Sequence, residues 1–202
     1  MVAPLKTDQK HYTAEEYLEL ERAAEFKSEF WNGQIVAMSG GSREYSTIIV
    51  NLTAEVGTQL KGKPCRAFSN DTKVRTGPLT LFVYPDLSVV CGEPRFHDEQ
   101  GDVLLNPTLV FEVLSPSTEA VDRGKKFEGY RRIASFTDYV LIAQDEPYIE
   151  HYSRQSETQW LLTTITGLDA SLSLPAIGCT LALAEIYDRV EFAQPSIKPE
   201  PE

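Results

Sequence analysis

The chain has 202 residues, of which 42% are hydrophobic, and this suits one globular domain with a sizeable core. No apolar run reaches the roughly 18–20 residues that cross a bilayer, and the amino-terminal residues lack the apolar core of a signal peptide. We therefore expect a cytoplasmic protein without membrane contact. The formal net charge of −11 at pH 7 argues against non-specific coating of nucleic acid, because phosphate neutralisation supplies that affinity.

The three cysteines, Cys65, Cys91 and Cys179, are odd in number and widely spaced, and they form no CxxC pair. This pattern indicates neither a disulfide framework nor a thiolate zinc site. We therefore expect three reduced cysteines in the core or at the surface.

The chain is expected to form one continuous domain at residues 11–192. Mobile tails are predicted at residues 1–10 and 193–202, because the first is polar and unpatterned and the second is rich in Pro and Glu. Helical and strand patterns follow one another without an internal repeat. They predict an α/β (α+β) fold with a mixed central sheet flanked by helices.

The first half of the domain combines two helices and a hairpin. Thr13 and Glu16 have the spacing of a capping box, which indicates that a helix begins there. Asn32 and Gly33 predict a tight hairpin turn between two short strands. From residue 43 to 60, apolar residues recur every three or four positions, so a second, amphipathic helix is expected.

The second half is richer in strands. Apolar and β-branched runs predict strands at about residues 65–75, 81–91, 108–115, 139–144, 147–153 and 158–165. A helix that opens near Pro116 separates the third of these strands from the fourth. The segment LALAEIYDRV is predicted to close the domain as a short helix.

Two of the apolar strands each carry one carboxylate, Asp86 in YPDLSVV and Glu112 in LVFEVLSPS. A buried strand normally excludes an unpaired charge. If the two strands are neighbours, both acids can point to one spot, where Mg²⁺ or Mn²⁺ would offset their repulsion. The alternative is that Asp86 begins a turn and Glu112 pairs with a core arginine.

Lys126 is a candidate third component of this site. In the helix after Glu112, Lys126 shares one face with Asp122 and Tyr130 at four-residue spacing, so its ammonium can reach over the strand ends. There it would orient an attacking water and offset phosphate charge. The alternative is a solvated helix lysine, and the competing neighbour Lys125 points about 100° away on a regular helix.

Two basic segments flank the acid-bearing strands. Residues 61–75 contain five basic residues against one acid, and residues 121–132 contain five against two. They are either ordinary solvated surface or guides for a nucleic-acid backbone. The candidate substrate-binding residues are Lys73, Arg123, Lys125 and Tyr130, with a core position as the alternative for the tyrosine.

Several motifs occur together in a fixed order: Pro85-Asp86, FEVLSPST, DRGKKFEGYRR and YVLIAQDEPYIEHY. In this order they resemble the Uma-two family of putative endonucleases, within the restriction-endonuclease-like PD-(D/E)XK superfamily. The resemblance covers nearly the whole domain. It implies a restriction-endonuclease-like fold and a Mg²⁺- or Mn²⁺-dependent endonuclease that hydrolyses phosphodiester bonds. DNA is the expected substrate, and a homodimer is the expected assembly.

The resemblance also assigns site residues. The implied catalytic residues are Asp86, Glu112, Lys126 and Glu29, and the implied metal ligands are Asp86, Glu112 and the carbonyl of Val113. In the general superfamily pattern the lysine lies two residues after the glutamate, where this chain has Leu114, so the lysine has moved to the following helix. Glu29 is either a support for the metal site or a surface glutamate.

Two positions leave questions about this assignment. Tyr45 stands where family members often carry a histidine, and Asp71 matches a recurrent family acid that can equally order a strand edge. A competing hypothesis from another class is a catalytically weak or inactive nuclease-fold module that binds nucleic acid or a partner protein. The net charge of −11 supports that alternative.

Overall fold

The computed structural model describes residues 10–38, 40–77 and 81–192, so the predicted tails lie outside the described residues except for residue 10. The helices are α1 (Ala14–Ala23), α2 (Arg43–Gln59), α3 (Glu119–Val121), α4 (Phe127–Tyr130) and α5 (Leu183–Ile186), and a π-helical turn, Asp122–Lys126, joins α3 to α4. Within the described ranges, no helix is long and apolar enough to cross a membrane.

Thirteen strands have been placed in the described ranges. They are β1 (Ser28–Trp31), β2 (Gln34–Ala37), β3 (Cys65–Ser69), β4 (Lys73–Arg75), β5 (Leu81–Val83), β6 (Leu87–Cys91), β7 (Val103–Leu104), β8 (Leu109–Val113), β9 (Asp138–Ile142), β10 (Tyr148–Arg154), β11 (Trp160–Thr166), β12 (Ser171–Leu174) and β13 (Cys179–Ala182).

The strands form a six-stranded sheet in the order β11-β10-β9-β8-β6-β3, a five-stranded sheet in the order β2-β1-β5-β4-β7, and the hairpin β12-β13. In the six-stranded sheet only β8 and β9 are parallel, and α3 and α4 lie in the connection between them. Such a crossover is what parallel strands require. The predicted class, mixed sheets flanked by helices, is confirmed.

Local sequence signals fix the first elements. Thr13 Oγ1 accepts from the Glu16 amide at 3.1 Å, and Glu16 Oε2 accepts from the Thr13 amide at 2.8 Å, so the predicted capping box is present. Asn32 and Gly33 both have positive φ, 47° and 97°, as a tight hairpin turn between β1 and β2 requires.

The two strands predicted at 65–75 and 81–91 are each divided between the two large sheets. Ser69 faces Leu87 and Val74 faces Val83, so four residues of one strand oppose three of the other between these pairs. An extra residue of this kind bends a β-ribbon. The ribbon therefore passes from the six-stranded to the five-stranded sheet at its bend, and Asp86 lies at that bend.

Two cores cover the two faces of the six-stranded sheet. The first core lies against α2 and α5 and includes Ile48, Leu52, Leu87, Phe111, Val140 and Ile186. The second core lies against the five-stranded sheet and the α3–α4 segment and includes Val90, Val110, Leu114, Tyr130, Leu141 and Phe136. Strand alternation places Glu112 on the second face, with Val110 and Leu114 as predicted.

Three strands near turns were not predicted. β7 has two residues, and the hairpin β12-β13 includes the start of the segment that was expected to be wholly helical. In that segment Leu181 and Ala182 pair in β13, and only Leu183–Ile186 form a helix.

The expectation of three reduced cysteines is wrong for two of them. Cys65 and Cys91 face each other across β3 and β6 and form a disulfide, with Cα atoms 3.9 Å apart, while Cys179 is free and buried. A spacing of 26 residues along the chain gave no sign of this pairing. The strand register brings the two thiols together.

Cys65→Ser is expected to lower the free energy of unfolding by about 3–4 kcal/mol, because the disulfide closes a loop of 26 residues and so restricts the unfolded chain. Urea unfolding with and without dithiothreitol measures the effect. Cys91→Ser should give the same loss, and the double variant should lose no more. Three titratable thiols in the unreduced, unfolded wild type would contradict the disulfide.

Candidate active site

Four carboxylates and one lysine converge where the two large sheets meet. β1 supplies Glu29, the residue before β6 is Asp86, β8 supplies Glu112, and the π-helical turn supplies Asp122 and Lys126. All five side chains are buried, with residue exposures between 1% and 8%. The cluster is therefore an enclosed set of acids with a single internal ammonium.

Asp86 and Glu112 come together because β6 and β8 are antiparallel neighbours. Leu87 pairs with Phe111, so the next step of the register sets Asp86 opposite Glu112. The Val113 amide donates to Asp86 Oδ2 at 2.6 Å, and the Tyr45 hydroxyl donates to Asp86 Oδ1. Asp86 is thus held by one backbone and one side-chain donor at the edge of the sheet.

Lys126 lies between the acids of the sheet and an acid of its own helical segment. Its Nζ is 3.2 Å from both carboxylate oxygens of Glu112 and 2.9 Å from Asp122 Oδ1. Glu29 Oε1 is farther, at 3.7 Å. The predicted reach of Lys126 over the strand ends is therefore present in the fold.

Two further groups hold the carboxylates in place. Tyr130, one turn after Lys126, donates to Glu112 Oε1 at 3.0 Å. Glu29 accepts from the Tyr84 amide at 3.0 Å and from Trp31 Nε1 at 3.1 Å. Glu29 is thus a buried part of this cluster and is not a surface residue.

Burial sets the ionisation of the cluster. It raises the pKa of Asp86 to about 6, even though the Tyr45 hydroxyl, the Val113 amide and Lys126 favour the ionised form. Burial also raises the pKa of Glu112 well above its ordinary value. It lowers the pKa of Lys126, but the surrounding carboxylates more than reverse this, so the net shift is upward and the ammonium stays charged.

Some predicted substrate-binding residues lie outside the cluster. Lys125 is exposed, and Arg123 pairs with Glu150 at 3.0 Å. Lys73 is 3% exposed and its Nζ is 2.7 Å from Glu21. Its ammonium, which was expected to contact phosphate, is therefore ion-paired with an internal carboxylate. The fold therefore keeps Lys125 on an open surface but encloses Lys73.

Asp71 also lies outside the cluster. It is exposed and pairs with Lys27, an arrangement that agrees with a role in ordering the strand edge. Of the candidate substrate-binding residues, only Tyr130 contacts a carboxylate of the cluster.

Asp122 of the cluster and Tyr45, which contacts it, were not assigned a role from the sequence. The sequence did place Asp122 four residues before Lys126, which indicates a shared helix face, but that spacing occurs on many solvated helices. Tyr45 was uncertain because its position differs from the family pattern. Its ring packs against Gly41, where an added Cβ would overlap the ring. The glycine therefore gives the Tyr45 ring the space from which its hydroxyl reaches Asp86.

Gly41→Ala is expected to destabilise the protein by about 1–2 kcal/mol, because the methyl group displaces the Tyr45 ring. Loss of the Tyr45 hydrogen bond should also raise the pKa of Asp86, since that bond favours the carboxylate. Urea unfolding and an NMR titration of the Asp86 carboxyl carbon measure the two effects. Gly40→Ala is the matched control, because a Cβ there meets nothing within 4 Å. Equal behaviour of the two variants would contradict this packing.

A cleft of about 570 Å³ is found elsewhere, lined by residues that include Asp138, His151 and Ser153. His151 Nε2 lies 2.7 Å from Asp138 Oδ1. By strand alternation Asp138 shares its face with Val140 of the first core, on the side of the sheet opposite to Glu112. This cleft is therefore separate from the carboxylate cluster.

The sequence can be compared with known families and proteins. Residues 14–184 match the family model described as "Uma2: Putative restriction endonuclease". The chain is 34% identical over 163 residues to the uncharacterized protein sll1609 of Synechocystis sp. (strain ATCC 27184 / PCC 6803 / Kazusa), covering 81% of this chain and 92% of that protein. It is 36% identical over 178 residues to the uncharacterized protein slr1290 of the same organism, covering 88% and 92%.

The fold has a counterpart among solved structures. A putative nuclease belonging to DUF820 from Anabaena variabilis ATCC 29413 superposes with a TM-score of 0.70 at 22% sequence identity. The match covers 87% of this chain and 97% of that chain. This likeness confirms the predicted restriction-endonuclease-like fold.

Proposed function

Because the chain belongs to the Uma2 family of putative restriction endonucleases, we propose that it hydrolyses phosphodiester bonds of nucleic acid with the help of a divalent cation. The carboxylate cluster is the proposed active site, and Mg²⁺ or Mn²⁺ is the proposed cofactor. The observation that carries the proposal is the convergence of Asp86 and Glu112 across neighbouring strands with Lys126 beside them.

The residues of the cluster fit a hard divalent cation in their chemistry. Their donors are carboxylate oxygens, which Mg²⁺ and Mn²⁺ prefer, and the four acids outnumber the single ammonium. Among the described residues, no group of three or more His, Cys, Asp or Glu side chains is arranged as a metal site in this conformation. Asp86, Glu112 and the carbonyl of Val113 would hold the ion, the last of these from the backbone.

When bound, such an ion supplies an activated water and Lewis-acid stabilisation of the phosphate. The residues of the chain prepare the site for that chemistry. Tyr45 and the Val113 amide fix the orientation of the Asp86 carboxylate, and Tyr130 fixes that of Glu112. Lys126 Nζ donates hydrogen bonds that orient the attacking water and offset negative charge at the phosphate.

Glu29 has a supporting part in the proposed site. Its hydrogen bonds from Tyr84, directly after β5, and from Trp31 of β1 leave it close enough to Lys126 to favour the charged form of the lysine. With Glu112, which has the larger effect, and with Asp122, it raises the pKa of Lys126 and keeps the ammonium protonated at neutral pH.

The nucleic acid is proposed to approach over exposed cations within and directly after the α3–α4 segment, which include Lys125 and Arg131. These cations would contact phosphates and so position the backbone without reading its sequence. DNA is the proposed substrate. A homodimer is proposed because cleavage of a duplex requires two strand breaks.

The proposal is tested by incubating purified wild type and Glu112→Gln with single-stranded, duplex and branched substrates in Mn²⁺. We expect metal-dependent cleavage by the wild type and a loss of at least about 100-fold in the variant, because a carboxylate of the site has been replaced by a neutral amide. Size-exclusion chromatography with light scattering measures the assembly state of the same samples.

Equal cleavage by the two proteins would refute the assignment of the site. Binding of a substrate by wild type without cleavage, and without any stabilisation by Mn²⁺, would favour the competing hypothesis of an inactive nuclease-fold binding module.

A further inference from the structure

The ammonium of Lys126 has two close partners of different origin. Glu112 belongs to the central sheet, whereas Asp122 lies four residues before Lys126 on the same helical segment. The Asp122 contact is the shorter, 2.9 Å against 3.2 Å. One partner therefore moves with the lysine, and the other belongs to a separate element.

Asp122 is placed as a fixed support. It is 1% exposed, and its backbone carbonyl accepts from the Tyr139 hydroxyl at 3.1 Å, which ties the π-helical turn to β9. Its Oδ1 is buried and makes no hydrogen bond of standard geometry with the described residues, so its close neighbour is the ammonium itself. A buried carboxylate without a cation is costly, which favours retention of this ion pair.

We infer that Asp122 is a positioning residue that holds the ammonium of Lys126 at the site when Glu112 is engaged elsewhere. A cation bound by Glu112 would withdraw that carboxylate from the lysine and repel its positive charge. Asp122 supplies the negative charge that keeps Lys126 in place. The catalytic consequence of this inference rests on the proposed function, but the contact itself does not.

The contact is tested in the metal-free protein by NMR of the Lys126 ammonium. The variant Glu112→Gln has no negative charge at this position and so mimics a Glu112 whose charge is neutralised by a bound cation. We expect Glu112→Gln to keep a protected ammonium signal, because Asp122 still holds it. In Glu112→Gln/Asp122→Asn the ammonium protons should exchange with water at least about tenfold faster. Lys126→Arg identifies the signal.

Two results would overturn the inference. The first is loss of the ammonium signal already in Glu112→Gln, and the second is equal protection of that signal in the double variant. Because Asn and Gln nearly preserve the shapes of the acids, circular dichroism is expected to show the native fold. If the double variant does not fold, Glu112→Gln alone still decides, because loss of the protected ammonium signal in that variant would overturn the inference.

The catalytic consequence has its own readout. Asp122→Asn is expected to lower kcat about tenfold, with KM within about twofold of wild type and with Mn²⁺-dependent stabilisation retained, and Asp122→Glu should recover part of the loss. Loss of the Mn²⁺ response in Asp122→Asn would mean that Asp122 holds the ion, which contradicts a positioning role. If the wild type neither cleaves nor responds to Mn²⁺, the proposed function fails, while the NMR result still decides whether Asp122 holds Lys126.

Discussion

Asp86→Asn is expected to make the metal-free protein more stable at pH 7 while abolishing its response to divalent cations. The pKa of Asp86 is raised from 3.8 to about 6 in the fold, chiefly by burial, so the ionised carboxylate is less favourable in the folded chain than in the unfolded one. This rise in pKa corresponds to at most about 3 kcal/mol of lost stability. Asparagine removes that cost and keeps an oxygen for the Val113 amide.

The sign of the pH dependence follows from the same shift. Below about pH 3.8 the group is protonated in both states and imposes no cost, and as the pH rises from 3.8 to about 6 the wild type loses stability. Asp86→Asn should not lose this part of its stability as the pH rises. Urea unfolding from pH 4 to pH 7.5 without metal measures the difference between the two proteins, which should grow across that window.

Mn²⁺ should reverse the order of stability. It is expected to raise the melting temperature of wild type at pH 7 by binding the folded state, and to leave Asp86→Asn unchanged. This gain should shrink as the pH falls below about 6, because protons then compete for Asp86. A variant that is less stable than wild type at pH 7 without metal, or that responds equally to Mn²⁺, would contradict the role of Asp86.

Lys126→Ala is expected to cause the largest loss of stability, about 3–5 kcal/mol at pH 7. The substitution removes the only cation in contact with Glu112 and Asp122 among the described residues, and uncompensated buried charges are strongly destabilising. The loss should be smaller near pH 5, because Lys126 lowers the pKa of Glu112 and without it the glutamate takes up a proton more readily.

Lys125→Ala is the matched control for this prediction. It removes the neighbouring lysine, which is exposed, so its effect should stay within about 0.5 kcal/mol. Urea unfolding of the three proteins at pH 5 and pH 7.5 gives the comparison. A Lys126→Ala variant that matches Lys125→Ala at both pH values would show that the ion pairs of the cluster contribute little to stability.

Much of the site could be inferred from the sequence because the information is local. Alternation along a strand places Glu112 on the same face as Val110 and Leu114, and helix spacing places Lys126 and Tyr130 on the same side of a helix. These statements need only the period of each element. The nearness of Asp86 to Glu112 needed one further condition, that their strands are neighbours, and the register of β6 and β8 supplies it.

Other features depended on contacts between distant parts of the chain. Lys73 lies in a basic segment of the sequence, yet its partner Glu21 belongs to α1 and encloses its charge. Cys65 and Cys91 had no motif, and only the pairing of β3 with β6 brings them together. Tyr45 reaches Asp86 because α2 packs against the sheet and Gly41 leaves room for its ring.

The sequence alone thus determined the fold class, the family and four of the five converging residues, Glu29, Asp86, Glu112 and Lys126, because periodicity and motif order can be read along the chain. Only the tertiary structure decided which charges are enclosed together and which remain open to solvent. The physical reason is that burial and ion pairing depend on distances between separate elements, and those distances are set by strand register and by helix packing.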